Sequence, residues 1–407
     1  MISLEEAQQL ILANISSLPS ERVSLADGLD RFLSQSITAG RTVPPADNSA
    51  MDGFAVRTAD VTNASPEHPV RLLITGSLPA EAVPAASVSP GQAMKIMTGS
   101  PIPDGADAVI PVEQTQTSGP EVVISHCPRP GENIRRAGED IREGQVILES
   151  GIRLGPAQLG LLASQGETAV AVGQRPRVAI LATGNELVEP GQPAKSHEIY
   201  SSNHMTLISQ VRQCSGIPLF LGIARDNAGQ LESCIRAAAH CEVLVTSGGI
   251  SMGDFDLVKQ ALDKLGLETI FWKVAIKPGM PTLFGRLRQQ WVFALPGNPV
   301  ASMVCFEQFV RPAILKLQGA GRLFRPKQKV TLAAEIHKKP GRLHLQRAQL
   351  MTDQEGRYLA SVTGDQGSGI LSSMAQAQAL LILPADRRQF SPGEQVWAYL
   401  LELPQVE

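Results

Sequence analysis

The sequence predicts a multidomain protein of α/β plus β class, with a parallel-sheet α/β domain flanked by β-rich modules. Three observations predict it. The chain has 407 residues, more than one hydrophobic core normally serves. Its middle third alternates strongly apolar runs with helical stretches. The segments on either side are short, alternating and punctuated by Gly and Pro. A hydrophobic fraction of 43% and a charged fraction of 18% suit a chain that folds, neither disordered nor lipid-spanning in composition.

Residues 3 to 15 read as an amphipathic helix: Ser3 and Glu6 form a capping-box pattern, and Leu4, Ala7, Ile11 and Ile15 share a face. From Arg41 to about Asp140 the composition is that of strands joined by turns. GPAQLGLLASQG predicts a helix, and the chain enters a new domain near Gln174. Beyond it VAILATG, VLVTSGG and WVFALPGNP read as buried strands, with helices around 203 to 214, 229 to 240, 254 to 265 and 300 to 317. After RLFRPK, segments such as KVTLAAEI and EQVWAYLLEL predict a small β-barrel or sandwich.

A net charge of -3 gives no global attraction to nucleic acid or an acidic membrane, so an anionic ligand needs a focused cationic site. Five cysteines without CxxC spacing argue against a disulfide framework or a zinc site. The N-terminus carries acids where a signal peptide needs bases, and no apolar run reaches the roughly 18 residues of a membrane span. The expectation is a cytoplasmic protein.

In an open α/β sheet, ligands bind beyond the carboxyl ends of the strands. Three glycine-bearing loops lie there: Thr183-Gly184 with Glu186, Ser247-Gly248-Gly249 running on through Ser251 and Gly253, and Pro296-Gly297-Asn298-Pro299. Glycines let backbone N–H groups approach a phosphate, and three such loops in succession point to an anionic ligand more strongly than one ordinary turn. Asp254 and Asp256 either hold a divalent cation against that phosphate or cap the following helix. Lys273 and Lys277 add cations around a Pro-Gly turn, and Ser368 in GDQGSG reads as an oxyanion-binding turn or a plain loop. In the first half, Asp52, Asp107, Glu113 and Asp140 sit in tight turns with Thr98, Arg135 and Arg136. Each alone suits turn formation; their concentration suggests a site.

The segments DNSAMDGFAV, MTGSPIPDGADAVIPVE, GEDI, LATGNEL, SGGISMGDFD, IKPGMP and LPGNPVAS, in this order, resemble the molybdopterin molybdenumtransferase family, the MoeA proteins and the E domains of gephyrin and its plant counterpart. The resemblance spans almost the whole chain. It implies an elongated discontinuous domain of residues 1–40 and 141–174, an inserted β module at 41–140, a MogA-like α/β domain at 175–322 and a C-terminal β-barrel at 323–407. It further implies that molybdate and adenylylated molybdopterin yield molybdenum cofactor and AMP with the help of Mg2+. The family pattern makes Asp52, Asp140, Glu186, Asp226 and Asp256 the catalytic acids, with Glu186 and Asp256 on the metal. Thr98, Arg135, Lys273, Lys277, Ser368 and the three glycine-bearing loops would bind substrate. The implied assembly is a homodimer whose active site is shared between an α/β domain and the partner's acid-bearing turns, with a molybdopterin adenylyltransferase and cofactor-receiving molybdoenzymes as further partners. Asn185 stands where many relatives carry Asp, so it is given no catalytic role.

Two other readings use the same motifs. A MogA-like adenylyltransferase needs only the α/β domain, and would make adenylylated product from molybdopterin and ATP. A non-catalytic scaffold like the gephyrin E domain would need no acid set.

Overall fold

Ser3 starts the first helix by the reciprocal bonds its motif predicts. Its hydroxyl accepts from the Glu6 backbone N–H (3.1 Å), and its own N–H donates to the Glu6 carboxylate (2.7 Å). The helix Leu4–Asn14 buries Leu4, Ala7 and Ile11 in the same core as Phe306 and Phe309, so its apolar stripe belongs to the α/β domain. Gln8 on this helix also donates to the Gln308 carbonyl (3.3 Å). Pro312 cannot bond that carbonyl from four residues on, and the helical run from Pro299 to Leu317 widens into a π-turn at Phe306–Val310.

A computed structural model describes residues 1–80, 86–225, 227–249 and 257–402. They form two units: Met1–Gln35, Ser150–Gly160 and Glu167–Glu407 make the first, and Ser36–Glu149 with Leu161–Gly166 the second.

The centre of the first unit is a six-stranded sheet in the order Ile217–Ala224, Arg177–Thr183, Val243–Ser247, Gln290–Leu295, Leu283–Leu287, Glu268–Trp272. The first four strands are parallel; Leu283–Leu287 returns antiparallel by a hairpin and pairs antiparallel with Glu268–Trp272. The three strands legible in the sequence are adjacent at the sheet's centre, where both faces are covered, and Val243–Ser247 is buried along its whole length. Helix Asn203–Gln213 leads from Arg177–Thr183 to the edge strand Ile217–Ala224, and Ala228–Ala237 leads from there to Val243–Ser247. Phe284, between Phe293 (4.9 Å) and Trp291 (5.5 Å), belongs to a stacked aromatic core, each fully buried ring of which contributes about 1.5–3 kcal/mol.

The unit ends in a closed barrel. Leu343–Thr352 pairs on one side with Tyr358–Val362 and on the other with Ala379–Leu383, and Lys327–Leu332 and Gln395–Leu400 complete the circuit. Closure leaves no free sheet edge. The second unit holds another six-stranded sheet, in which Gly53–Val56 lies between Ala108–Pro111 and Gln92–Ile96. Gly53 is required there: a Cβ would fall 2.0 Å from the Ile110 carbonyl oxygen.

All five cysteines are free. Among the described residues no helix is long and apolar enough to cross a membrane.

Candidate active site

The carboxyl ends of Arg177–Thr183, Val243–Ser247 and Gln290–Leu295 meet backbone to backbone. A Cβ on Gly248 would lie 2.5 Å from the Thr183 carbonyl oxygen, one on Gly249 2.2 Å from a Val258 methyl, and one on Gly297 3.3 Å from the Gly248 Cα. Gly248 and Gly249 also have φ of 95° and 66°. The glycines are thus needed for the strand ends to pack this closely. Gly248→Ala is expected to cost about 1–3 kcal/mol in urea unfolding and to weaken ligand binding at the same time, because the loop must move to clear Thr183.

Asn203, at the start of its helix, ties these loops together. Its amide donates to the Ser247 hydroxyl and to the Gly297 carbonyl, both at 2.7 Å. Sequence reading placed the helix but missed the residue, because its partners lie 44 and 94 positions away. Glu186 folds its carboxylate over Gly184, where a Cβ would sit 2.6 Å from Oε1. Thr183, Gly184, Glu186, Ser247 and Asn203 line a cleft of about 690 Å³.

A second cleft of about 820 Å³ adjoins it, sharing Pro281, Pro296 and Asn298 in its walls. Asn298 is the hinge between them: its amide donates to the Ser368 hydroxyl (2.9 Å), linking the PGNP loop to the barrel's GDQGSG turn. Lys277, Lys338, Lys339 and Arg342 line this cleft, giving it the concentration of cations absent from the protein as a whole. Lys273 lines neither cleft; its ammonium sits 4.2 Å from the ring centre of Trp272. Asp226, Ser251, Gly253, Asp254 and Asp256 lie outside the described residues.

In the second unit, Asp52 Oδ1 accepts from the Thr98 N–H (2.6 Å) and hydroxyl (2.8 Å), and these two bonds hold the carboxyl below its usual pKa. Arg135 and Asp140 share a pocket of about 430 Å³ with Asn48, whose Oδ1 is buried without a partner. Asp107 is a turn-former: both its oxygens accept from Thr58. Arg136 pairs with Asp47, whose carboxyl is held low by the Ala137 N–H and by that guanidinium.

Fold and clefts together define a multidomain α/β protein with a glycine-lined cleft at its strand ends, beside a cationic cleft walled by the barrel. The N-terminal region of MoeA, its domains I and II, matches residues 2–166; a probable molybdopterin binding domain matches 179–316; and the MoeA C-terminal region, domain IV, matches 329–401. The molybdopterin molybdenumtransferase of Haemophilus influenzae is 37% identical over 97% of this chain and 98% of its own. Molybdopterin molybdenumtransferase 2 of Mycobacterium tuberculosis is 35% identical over 98% and 99%. The crystal structure of the molybdopterin biosynthesis MoeA protein from Pyrococcus horikoshii superposes with a TM-score of 0.84 at 30% identity, covering 98% of this chain and 100% of the other. The chain belongs to the molybdopterin molybdenumtransferase, or MoeA, family.

Proposed function

We propose that this protein is a transferase that inserts molybdenum from molybdate into adenylylated molybdopterin, releasing molybdenum cofactor and AMP. The observation that carries the reading is the pair of adjoining clefts. One is built of glycine loops at strand ends, suited to phosphates of a nucleotide and pterin; the other is cationic and suited to a small oxyanion. Asn298 and Ser368, bonded to each other, stand where the two substrates would meet.

On this reading Thr183, Gly184, Ser247, Gly248, Gly249 and the Pro296-Gly297-Asn298-Pro299 turn hold the nucleotide and pterin, with Ser251 and Gly253 continuing the second loop. Lys277 balances ligand charge, with Lys273 at the other end of the same turn. Among the described residues no cluster of three or more acids, histidines or cysteines is built to hold a metal by itself. Glu186, whose carboxylate has no hydrogen-bond partner among the described residues, nevertheless lines the proposed nucleotide cleft. That suits Mg2+, which takes one or two carboxylates together with substrate phosphates. When bound it would neutralise charge on the phosphate that AMP leaves; Glu186 and Asp256 are the residues to hold it.

The four-part domain division at 1–40 with 141–174, 41–140, 175–322 and 323–407 goes with this reading, as does a cytoplasmic setting. So does a homodimer in which Asp52, Thr98, Arg135 and Asp140 of a second copy complete the site, with Asp226 as a further acid. Asp52, an exposed carboxylate kept ionised by its bonds from Thr98, suits accepting hydrogen bonds at the site better than oxyanion binding. The deciding experiment is AMP release from adenylylated molybdopterin by the purified chain. Release is expected only when molybdate is added; release at the same rate without it would reject the transferase reading.

A further inference from the structure

The mouth of the barrel carries an imidazole with no assigned role. On the strand Leu343–Thr352, His344 alternates onto the face of Ala348 and Leu350, which line the barrel core, but it lies where the core runs out into the cationic cleft. It is 5% exposed, and no described group hydrogen-bonds its ring. Lys277 stands directly opposite it on the paired strand. Lys338, itself only 8% exposed, is held by three carbonyls, those of Arg342 (3.4 Å), Lys339 and Ala385 (both 3.5 Å), and by no carboxylate. Arg342 and Lys339 complete the cationic wall. The acids nearby are otherwise engaged: Glu335 pairs with His337 (3.1 Å), Asp365 accepts from the Gly367 N–H (2.9 Å), and Asp386 acts on Lys338. An almost buried imidazole beside Lys277, Lys338 and Arg342, in a cleft whose acids Glu335 and Asp365 already accept from other groups, is suited to a cleft whose missing charge is negative.

We propose that His344 takes up a proton when the cleft binds a dianionic tetrahedral oxyanion, so that anion capture at this site is coupled to proton uptake. The inference rests on the assignment of this cleft to an anion made above. In the empty protein burial, then repulsion from Lys338, Lys277 and Arg342, pushes the imidazole down to about 4 from an ordinary 6.5, so it is neutral at physiological pH. A dianion against the same wall reverses the field and raises that value. Between the free and bound pKa the complex holds more protons than the empty protein. Affinity therefore falls as pH rises, by up to about tenfold per pH unit, and becomes flat above the bound pKa.

The test is calorimetric titration of the full-length protein with sulfate and with molybdate near pH 6, in buffers of different ionisation enthalpy. Sulfate stays a dianion throughout, so it brings no proton chemistry of its own. Wild type is expected to take up roughly half a proton or more per anion. His344→Gln should take up almost none while binding within about threefold of wild type at pH 8, where little linkage remains. His337→Gln, the neighbouring imidazole, should keep the uptake. Binding by wild type with no proton uptake overturns the proposal, as does uptake that survives in His344→Gln or is lost instead in His337→Gln. Wild type that binds neither anion, or Lys277→Met that binds as well as wild type, overturns the cleft assignment and the proposal with it.

Discussion

A mixed dimer of one Asp52→Ala subunit and one Glu186→Gln subunit is expected to recover about half of wild-type activity, although each parent dimer loses about 10²-fold or more. The two residues belong to different structural units and different chemistries. Asp52 is an exposed acid turned by Thr98, with Oδ1 occupied and Oδ2 without a described partner. Glu186 lies at the glycine-loop cleft of the strand ends. If each site combines the acid-bearing turn of one subunit with the cleft of the other, the mixed dimer assembles one site carrying both lesions and one carrying neither. Differently tagged subunits, co-expressed and purified through both tags, allow the molybdate-dependent release of AMP to be measured directly. If both residues serve a site within one subunit, every site carries one lesion and activity stays at the parental level.

Glu307→Ala is expected to destabilise the first unit by about 3–5 kcal/mol, read as a lower urea midpoint. Glu307 is 6% exposed in the π-turn of the long helical run. Its oxygens meet the Arg325 guanidinium at 3.0 and 3.2 Å, Gln210 at 3.4 Å and Arg311 at 3.8 Å. Arg325 also donates to the Leu401 carbonyl (3.1 Å) and Arg311 to that of Leu323 (2.8 Å). One carboxylate therefore secures the helix, the segment leading into the barrel and the end of the last barrel strand. Removing it leaves two largely buried guanidinium groups without their counter-charge. Glu307→Gln retains hydrogen bonding but not charge and should lose less; equal midpoints for Glu307→Ala and wild type would show that the pair contributes nothing net.

Local pattern made much of this molecule legible. The capping box of Ser3 and Glu6 and the apolar runs at 178, 243 and 291 appear where their residues put them, since cap chemistry and hydrophobic period act over a few residues. The edge strand Ile217–Ala224 was not legible. It is only partly buried and interrupted by Gly222 at φ 94°, near a register shift against its neighbour, so it shows neither clean alternation nor a continuous buried run.

The sequence by itself determined the family, the order of the glycine loops and acid-bearing turns, and the presence of a central α/β domain beside a β-rich C-terminus. Tertiary structure alone decided which side chains share a cleft. It brought Asn203 to Ser247 and Gly297 and Asn298 to Ser368, and it placed Lys338 and His344 in the cationic wall while turning Lys273 onto Trp272. It also buried Arg347 among the carbonyls of Asp365 and Gly367 and the Ser373 hydroxyl. The physical reason is range: caps and periodicity are set by neighbours along the chain, whereas burial and the field around a charge are set by residues that only folding brings together.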